Sequence, residues 1–158
     1  MSSYLRPRVP GATIFFTVRL DAAGGTLLTD EIDRLRHAVA ATRRERPFTI
    51  DAFVVLPDHL HCVWTLPEGD CEYSERWRLI KSRFSMGLPP GPRRHSHLAR
   101  NERAIWQRRF WEHHIRDAED YRAHVAYCRA NPVKHGLATS PEDWPFSSVH
   151  RDRRLGLL

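Results

Sequence analysis

The 158-residue chain is poor in the features that would place a protein in a membrane or outside the cell. Its apolar stretches all fall short of the roughly 18 residues that a membrane-spanning helix needs. Met1-Ser2-Ser3-Tyr4-Leu5-Arg6 lacks the apolar core of a secretory signal, so the expected compartment is the cytoplasm. Cysteine is scarce: Cys62, Cys71 and Cys128 are widely spaced, with no CxxC pair. That argues against a disulfide framework or a structural zinc site and for reduced thiols. Internal repeats and a clear linker are also missing, and the length suits one domain, 1–158. What is present points to a packed globule, with 41% hydrophobic residues and five tryptophans. Lys and Arg outnumber Asp and Glu by 25 to 19, for a net charge of +6 and a pI near 9.8. Arg dominates the excess and suits bidentate contact with phosphate. Charge permits a nucleic-acid partner without proving one.

The hydrophobic pattern gives an order of elements. Residues 12–20 are β-branched and aromatic and read as a strand ended by Gly24-Gly25. Thr29-Asp30-Glu31 opens a helix that carries Ile32, Leu35 and Val39 at helical spacing and stops at Pro47. Phe48–Leu56 and His59–Leu66 read as strands about the turn Pro57-Asp58. A second helix is expected from Ser74 to Met86, with Trp77, Ile80 and Phe84 on one face. Residues 87–104 read as a long exposed loop, and Phe110–Arg116 as a fourth strand. Asp117, with Asp120 three residues on, caps a third helix. Pro132 should end it near Ala130, because the residue before a proline is pushed out of the helical region. The sum is an α+β chain on the ferredoxin-like βαββαβ plan, an antiparallel sheet with an additional C-terminal helix.

Two residue patterns on this scaffold carry chemistry. In His59-Leu60-His61, alternate side chains of one strand share a face, so two imidazoles project together and make half of a metal site. By itself such a pair is usually two solvated histidines. His95-Ser96-His97 has the same spacing in the basic loop and is set aside. Tyr127 and Asn131 are four apart and share a helix face, which lets a phenol and an amide point at one place. A tyrosine can serve as a nucleophile, helped by a metal that polarises the phosphoryl group.

The segments around these residues resemble a known family. Leu56-Pro57-Asp58-His59-Leu60-His61-Cys62-Val63-Trp64 is similar to the His-hydrophobe-His (HUH) strand of the single-tyrosine transposases. Trp106-Gln107-Arg108-Arg109-Phe110-Trp111-Glu112-His113 resembles the segment before their catalytic helix. Tyr127-Cys128-Arg129-Ala130-Asn131-Pro132-Val133-Lys134-His135-Gly136 resembles their tyrosine segment. Asp143-Trp144-Pro145-Phe146-Ser147-Ser148 resembles the tail of the REP-associated tyrosine transposases. The resemblance covers about residues 11–151. It implies an enzyme that cleaves and rejoins single-stranded DNA beside a hairpin, a REP-like palindromic repeat, through a 5′-phosphotyrosine. It also implies Tyr127 as nucleophile, with His59, His61 and Asn131 holding Mg²⁺ or Mn²⁺. Work at chromosomal repeats would associate the protein with the nucleoid.

Candidate DNA contacts are Arg78, Lys81 and Arg83 on the second helix, Arg108 beyond it, and Trp106 as a stacking surface. The competing reading for each is a solvated basic face over a tryptophan core. Two rivals to the whole assignment remain. One is a non-catalytic nucleic-acid module with a sheet like that of the RNA-recognition fold. The other is a metal-dependent nuclease that uses water. Oligomeric state is open.

Overall fold

The computed structural model describes residues 4–91 and 104–158; Arg93, Arg94, His95 and His97 lie outside the described residues. Four strands form one antiparallel sheet: β1 (Thr13–Arg19), β2 (Thr49–Val55), β3 (His59–Thr65) and β4 (Trp111–His114). The spatial order is β2-β3-β1-β4, the ferredoxin-like arrangement. A bulge interrupts the β2–β3 ladder between Ile50 and Ala52. The first helical region is two pieces, α1 (Leu27–Asp30) and α2 (Ile32–Glu45), because Glu31 leaves helical geometry at φ −108° and ψ 34°. The second helical pattern forms α3 (Tyr73–Ser85).

The period-2 alternation of the strands sorts their side chains into two cores. Ile14, Phe16 and Val18 of β1 join Leu60, Cys62 and Trp64 of β3 on one face. Leu35 and Val39 of α2 and Trp77, Ile80 and Phe84 of α3 close that face. Trp64 and Trp77 stack there, with ring centroids 4.4 Å apart and planes 16° from parallel. On the other face, Phe15, Ala52, Val54, Leu56 and Val63 meet a smaller set from α4 (Ala118–Lys134), Val125 and Cys128.

α4 begins as its sequence signals and ends later than they do. The Asp117 carboxylate accepts from the Asp120 N–H at 2.8 Å, satisfying a donor that the first turn leaves unpaired. The helix does not stop near Ala130; it runs through Pro132 to Lys134. Leu137 N–H donates to the Pro132 carbonyl at 2.9 Å, and Gly136 N–H to that of Val133 at 3.0 Å. With Gly136 at φ +70°, this is a glycine-closed helix end that satisfies carbonyls beyond the proline. Pro132 therefore costs one hydrogen bond, to the Cys128 carbonyl, in the last turns only. Asn131 stays helical and fully buried.

The chain then returns along the free edge of β2. Val55 N–H donates to the Phe146 carbonyl, Ser148 N–H to that of Phe53, and the Trp144 indole to that of Val55. The Asp143–Ser148 segment thus covers a sheet edge that would otherwise expose unpaired backbone. A short helix, α5 (Val149–Arg154), follows it and was not expected from the sequence. Among the described residues no helix is long and apolar enough to cross a membrane.

Candidate active site

His59 and His61 leave β3 on the face covered by α4, and both rings are buried, at 5% and 2% exposure. Each is held through Nδ1. The Asp58 carboxylate lies 2.7 Å from that nitrogen of His59, and the Thr17 hydroxyl 2.8 Å from that of His61. An ionised carboxylate can only accept, so His59 carries its proton on Nδ1 and presents a lone pair at Nε2. Asp58 is itself fixed by the Gly24 N–H at 2.8 Å. Burial opposes its charge, but that N–H and His59 together hold its pKa below the usual value. Burial lowers the pKa of His59 against the pull of Asp58. It brings His61 down to about 3, helped by the positive potential of His59, Arg19, His135 and Lys134. Both imidazoles are neutral at pH 7, the state a metal ligand needs.

Nine buried side-chain polar atoms lack a partner among the described residues, and four belong to this cluster. They are Nε2 of His59, Nε2 of His61, and both amide atoms of Asn131. Asn131 lies one helical turn from Tyr127 and one from His135. The Tyr127 ring is 5.1 Å from that of His61, and the His135 ring 5.3 Å from that of His59, so the residues one turn to either side of Asn131 both meet the pair. Orphaned groups of this kind are costly to bury, so a cluster of them needs an explanation. Three of the other orphans, the indole nitrogens of Trp64, Trp77 and Trp106, are donors only and cannot hold a cation. Two imidazole nitrogens and an amide oxygen can, and the residues present fit a divalent metal.

Tyr127 is 37% exposed at the rim of this cluster. Its ring meets Phe15 edge-on at 5.8 Å, and the Lys134 ammonium lies 5.1 Å from its centroid. An exposed phenol beside a cation and two ligand-ready histidines can reach a phosphodiester from solvent. The structure therefore brings together four residues singled out by sequence: His59, His61, Tyr127 and Asn131.

It does not bring the proposed DNA contacts to the same place. Arg78, Lys81 and Arg83 lie on α3, across the sheet from Tyr127. Arg78 pairs with Glu75, and Arg83 with Glu45 and the Thr42 hydroxyl. The Lys81 ammonium donates to the Gln107 carbonyl at 2.9 Å, and burial lowers its pKa to about 8. Trp106 is half-buried and edge-on to Phe84, while Arg108 is exposed.

Sequence reasoning missed Asp58 and Thr17 as orienting groups, and Lys134 and His135 as neighbours. Asp58 was visible beside His59, whereas Thr17 reaches His61 only through the β1–β3 register. Lys134 and His135 reach the site because the helix continues past Pro132, beyond the end that its sequence signals. A second cluster also went unnoticed: His113, Asp120 and His124 place ligand-type atoms within 4.8 Å of one another. Asp120 is already engaged there, accepting from the Arg116 N–H at 2.9 Å and lying 2.8 Å from His113 Nε2.

Comparison with known proteins identifies the family. No family model matches the chain. The REP-associated tyrosine transposase of Escherichia coli K12 is 50% identical over 157 residues, covering 99% of this chain and 88% of the relative. A Haemophilus influenzae Rd protein provisionally named for the same family is 42% identical over 154 residues, 96% of this chain and 88% of its own. A solved structure of the REP-associated tyrosine transposase bound to a REP hairpin superposes with a TM-score of 0.87 at 49% identity. That match covers all of this chain and 88% of the other. The class these likenesses define is that of the DNA-processing transposases. Within it, the chain belongs to the REP-associated tyrosine transposase family.

Proposed function

We propose that this protein cleaves and rejoins single-stranded DNA beside a REP-like hairpin, with Tyr127 as nucleophile. The observation that carries the reading is the cluster of orphaned buried atoms on His59, His61 and Asn131 next to an exposed phenol. A divalent cation held by His59 Nε2, His61 Nε2 and the Asn131 amide oxygen, Mg²⁺ or Mn²⁺, would supply charge neutralisation and polarise the phosphoryl oxygens. Tyr127 attacks phosphorus, its O–P bond forms as the P–O3′ bond breaks, and the phenolic proton is lost as the 3′ hydroxyl gains one. The resulting 5′-phosphotyrosine keeps the energy of the broken diester, so a 3′ hydroxyl can reverse the step. Asp58 and Thr17 hold the two imidazoles in the ligating orientation, and Lys134 offers positive potential beside the phenol. The hairpin as partner rests on the related structure, which holds a REP hairpin. On this reading Arg78, Lys81 and Arg83 would meet phosphates of the stem, since the sheet separates α3 from Tyr127, while Arg108 would contact a phosphate and Trp106 would stack on an unpaired base. Action on chromosomal repeats would place the protein at the nucleoid, in the cytoplasm.

The binding-module rival is weakened by one observation. RNA-recognition-type modules bind through aromatics on an open sheet face, and here α4 covers that face and leaves Phe15 only 5% exposed. A denaturing gel of protein incubated with labelled hairpin DNA and Mn²⁺ separates the readings. We expect a covalent protein–DNA adduct that disappears in Tyr127→Phe while hairpin binding persists. Free fragments without adduct would identify a water-using nuclease, and intact DNA a binding module. An adduct formed by Tyr127→Phe at the wild-type rate would remove the tyrosine from the mechanism.

A further inference from the structure

A groove of about 540 Å³ opens beside the phenol, between the edge strand β4 and α4. Phe15, Thr17 and Arg19 of β1 form its floor, Trp111 one wall, and His124 and Tyr127 the other. Three of its side chains are given no ligand or nucleophile role in the assigned site. Trp111 is 66% exposed, an apolar side chain on the outer strand that packing does not require there. Arg19 is exposed, and among the described residues no carboxylate pairs with it. His124 is immobilised: its ring stacks on His113 at 4.6 Å, and its Nδ1 lies 2.9 Å from the Asp120 carbonyl. The groove thus combines a flat exposed indole, an unpaired cation and a fixed imidazole wall. No carboxylate lines it.

We propose that this groove seats an unpaired nucleotide of the DNA strand adjoining the phosphate that Tyr127 attacks, with Trp111 stacking on its base and Arg19 meeting its phosphate. The proposal rests on the function proposed above and adds to it a recognition site for the single-stranded flank. Any aromatic face can stack on a base, and a cation beside it fits the adjoining phosphate. A protein or lipid partner would not account for continuity with Tyr127, whose ring forms part of the same wall. The acid-free lining suits a polyanion. Trp111 and Arg19 act as positioning residues: they hold the strand so that its phosphate lies within reach of the phenol.

The test uses a REP-type DNA hairpin with short single-stranded flanks, 2-aminopurine placed at each flank position in turn, and the same stem without flanks. With the full-length protein, binding should quench 2-aminopurine at one or two flank positions. Trp111→Ala should abolish the quench and weaken binding of the flanked hairpin about tenfold. It should leave the bare stem's affinity unchanged, and Trp111→Phe should restore much of the quench. Arg19→Ala should weaken flank binding with the quench retained, and circular dichroism of each variant checks folding. Wild-type quench and wild-type affinity in Trp111→Ala would overturn the proposal. That result is readable whether or not an adduct forms, because no readout here depends on cleavage. Loss of the adduct in the wild type, with the quench intact, would instead sink the catalytic reading alone.

Discussion

The two faces of the sheet are built for different ends. Toward α2 and α3, the sheet buries a continuous apolar cluster in which Trp64, Trp77, Phe16 and Phe84 interlock. Toward α4, the apolar cluster is small and shares the face with two buried histidines, whose Nε2 atoms have no partner among the described residues, and a buried asparagine whose amide atoms have none either. The first face supplies folding energy, at roughly 1.5–3 kcal/mol for each large side chain fully removed from water. The second face gives some of that energy up, because every orphaned buried group costs on the order of 1–3 kcal/mol. Stability is concentrated on one side so that the other can hold unsatisfied ligands in place.

The largest effect should come from breaking the first face. Trp77→Ala removes a ring that stacks on Trp64 and touches Phe16, so unfolding should become easier by about 3–5 kcal/mol. Urea unfolding monitored by circular dichroism measures this. Adduct formation per folded molecule should change little. A specific loss of activity in folded Trp77→Ala would show that the faces are not separable.

The next effect tests the second face. Saturating Mn²⁺, at a hundredfold excess over its dissociation constant, should stabilise the wild type by about 2.7 kcal/mol. In thermal melts this is a rise of roughly 5–10 °C for a chain of this size. His59→Ala and Asn131→Ala should lose most of that rise. If Mn²⁺ shifts these variants as much as the wild type, the orphaned atoms are not the ligands.

A third prediction follows from the neutral imidazoles. Burial depresses the folded-state pKa of His61 to about 3, while the unfolded chain should titrate near 6.5. Between those values the unfolded state binds the extra proton, so stability is fully present above about pH 6.5 and is lost as pH falls toward 3. The slope from this one residue approaches 1.4 kcal/mol per pH unit at most. Unfolding measured in EDTA at a series of pH values should show it, and His61→Gln should flatten it. A wild-type profile level from pH 7 to 5 would mean that His61 is not held neutral.

Much of this division was readable in sequence because it depends on local spacing. The alternation in His59-Leu60-His61 and the four-residue step from Tyr127 to Asn131 fix shared faces without any knowledge of the fold. Asp117 and Asp120 likewise announced where α4 begins. The end of α4 is less legible: Pro132 reads locally as a stop, whereas the helix runs to Lys134 and Gly136 closes it. Thr17 and Phe15 enter the site through strand pairing; Thr17 is 44 residues from His61 in sequence, and no local pattern reports that distance. Composition could name Arg78, Lys81 and Arg83 as basic but could not say that the sheet stands between them and Tyr127.

That separation yields the smallest predicted effect and the sharpest test of what α3 does. Arg78 is exposed and, among the described residues, pairs with its neighbour Glu75, an ion pair that solvent screens. Arg78→Ala should therefore leave the urea unfolding midpoint close to that of the wild type. If α3 touches the hairpin stem, the log–log dependence of affinity on salt should lose about one unit of slope. Adduct formation at saturating DNA should stay at the wild-type rate, because a stem contact positions the duplex without reaching the phenol. A slope identical to the wild type would mean that Arg78 meets no phosphate. A slower adduct at saturating DNA would mean that α3 reaches the reacting strand despite the sheet, and the division between the two faces would have to be redrawn.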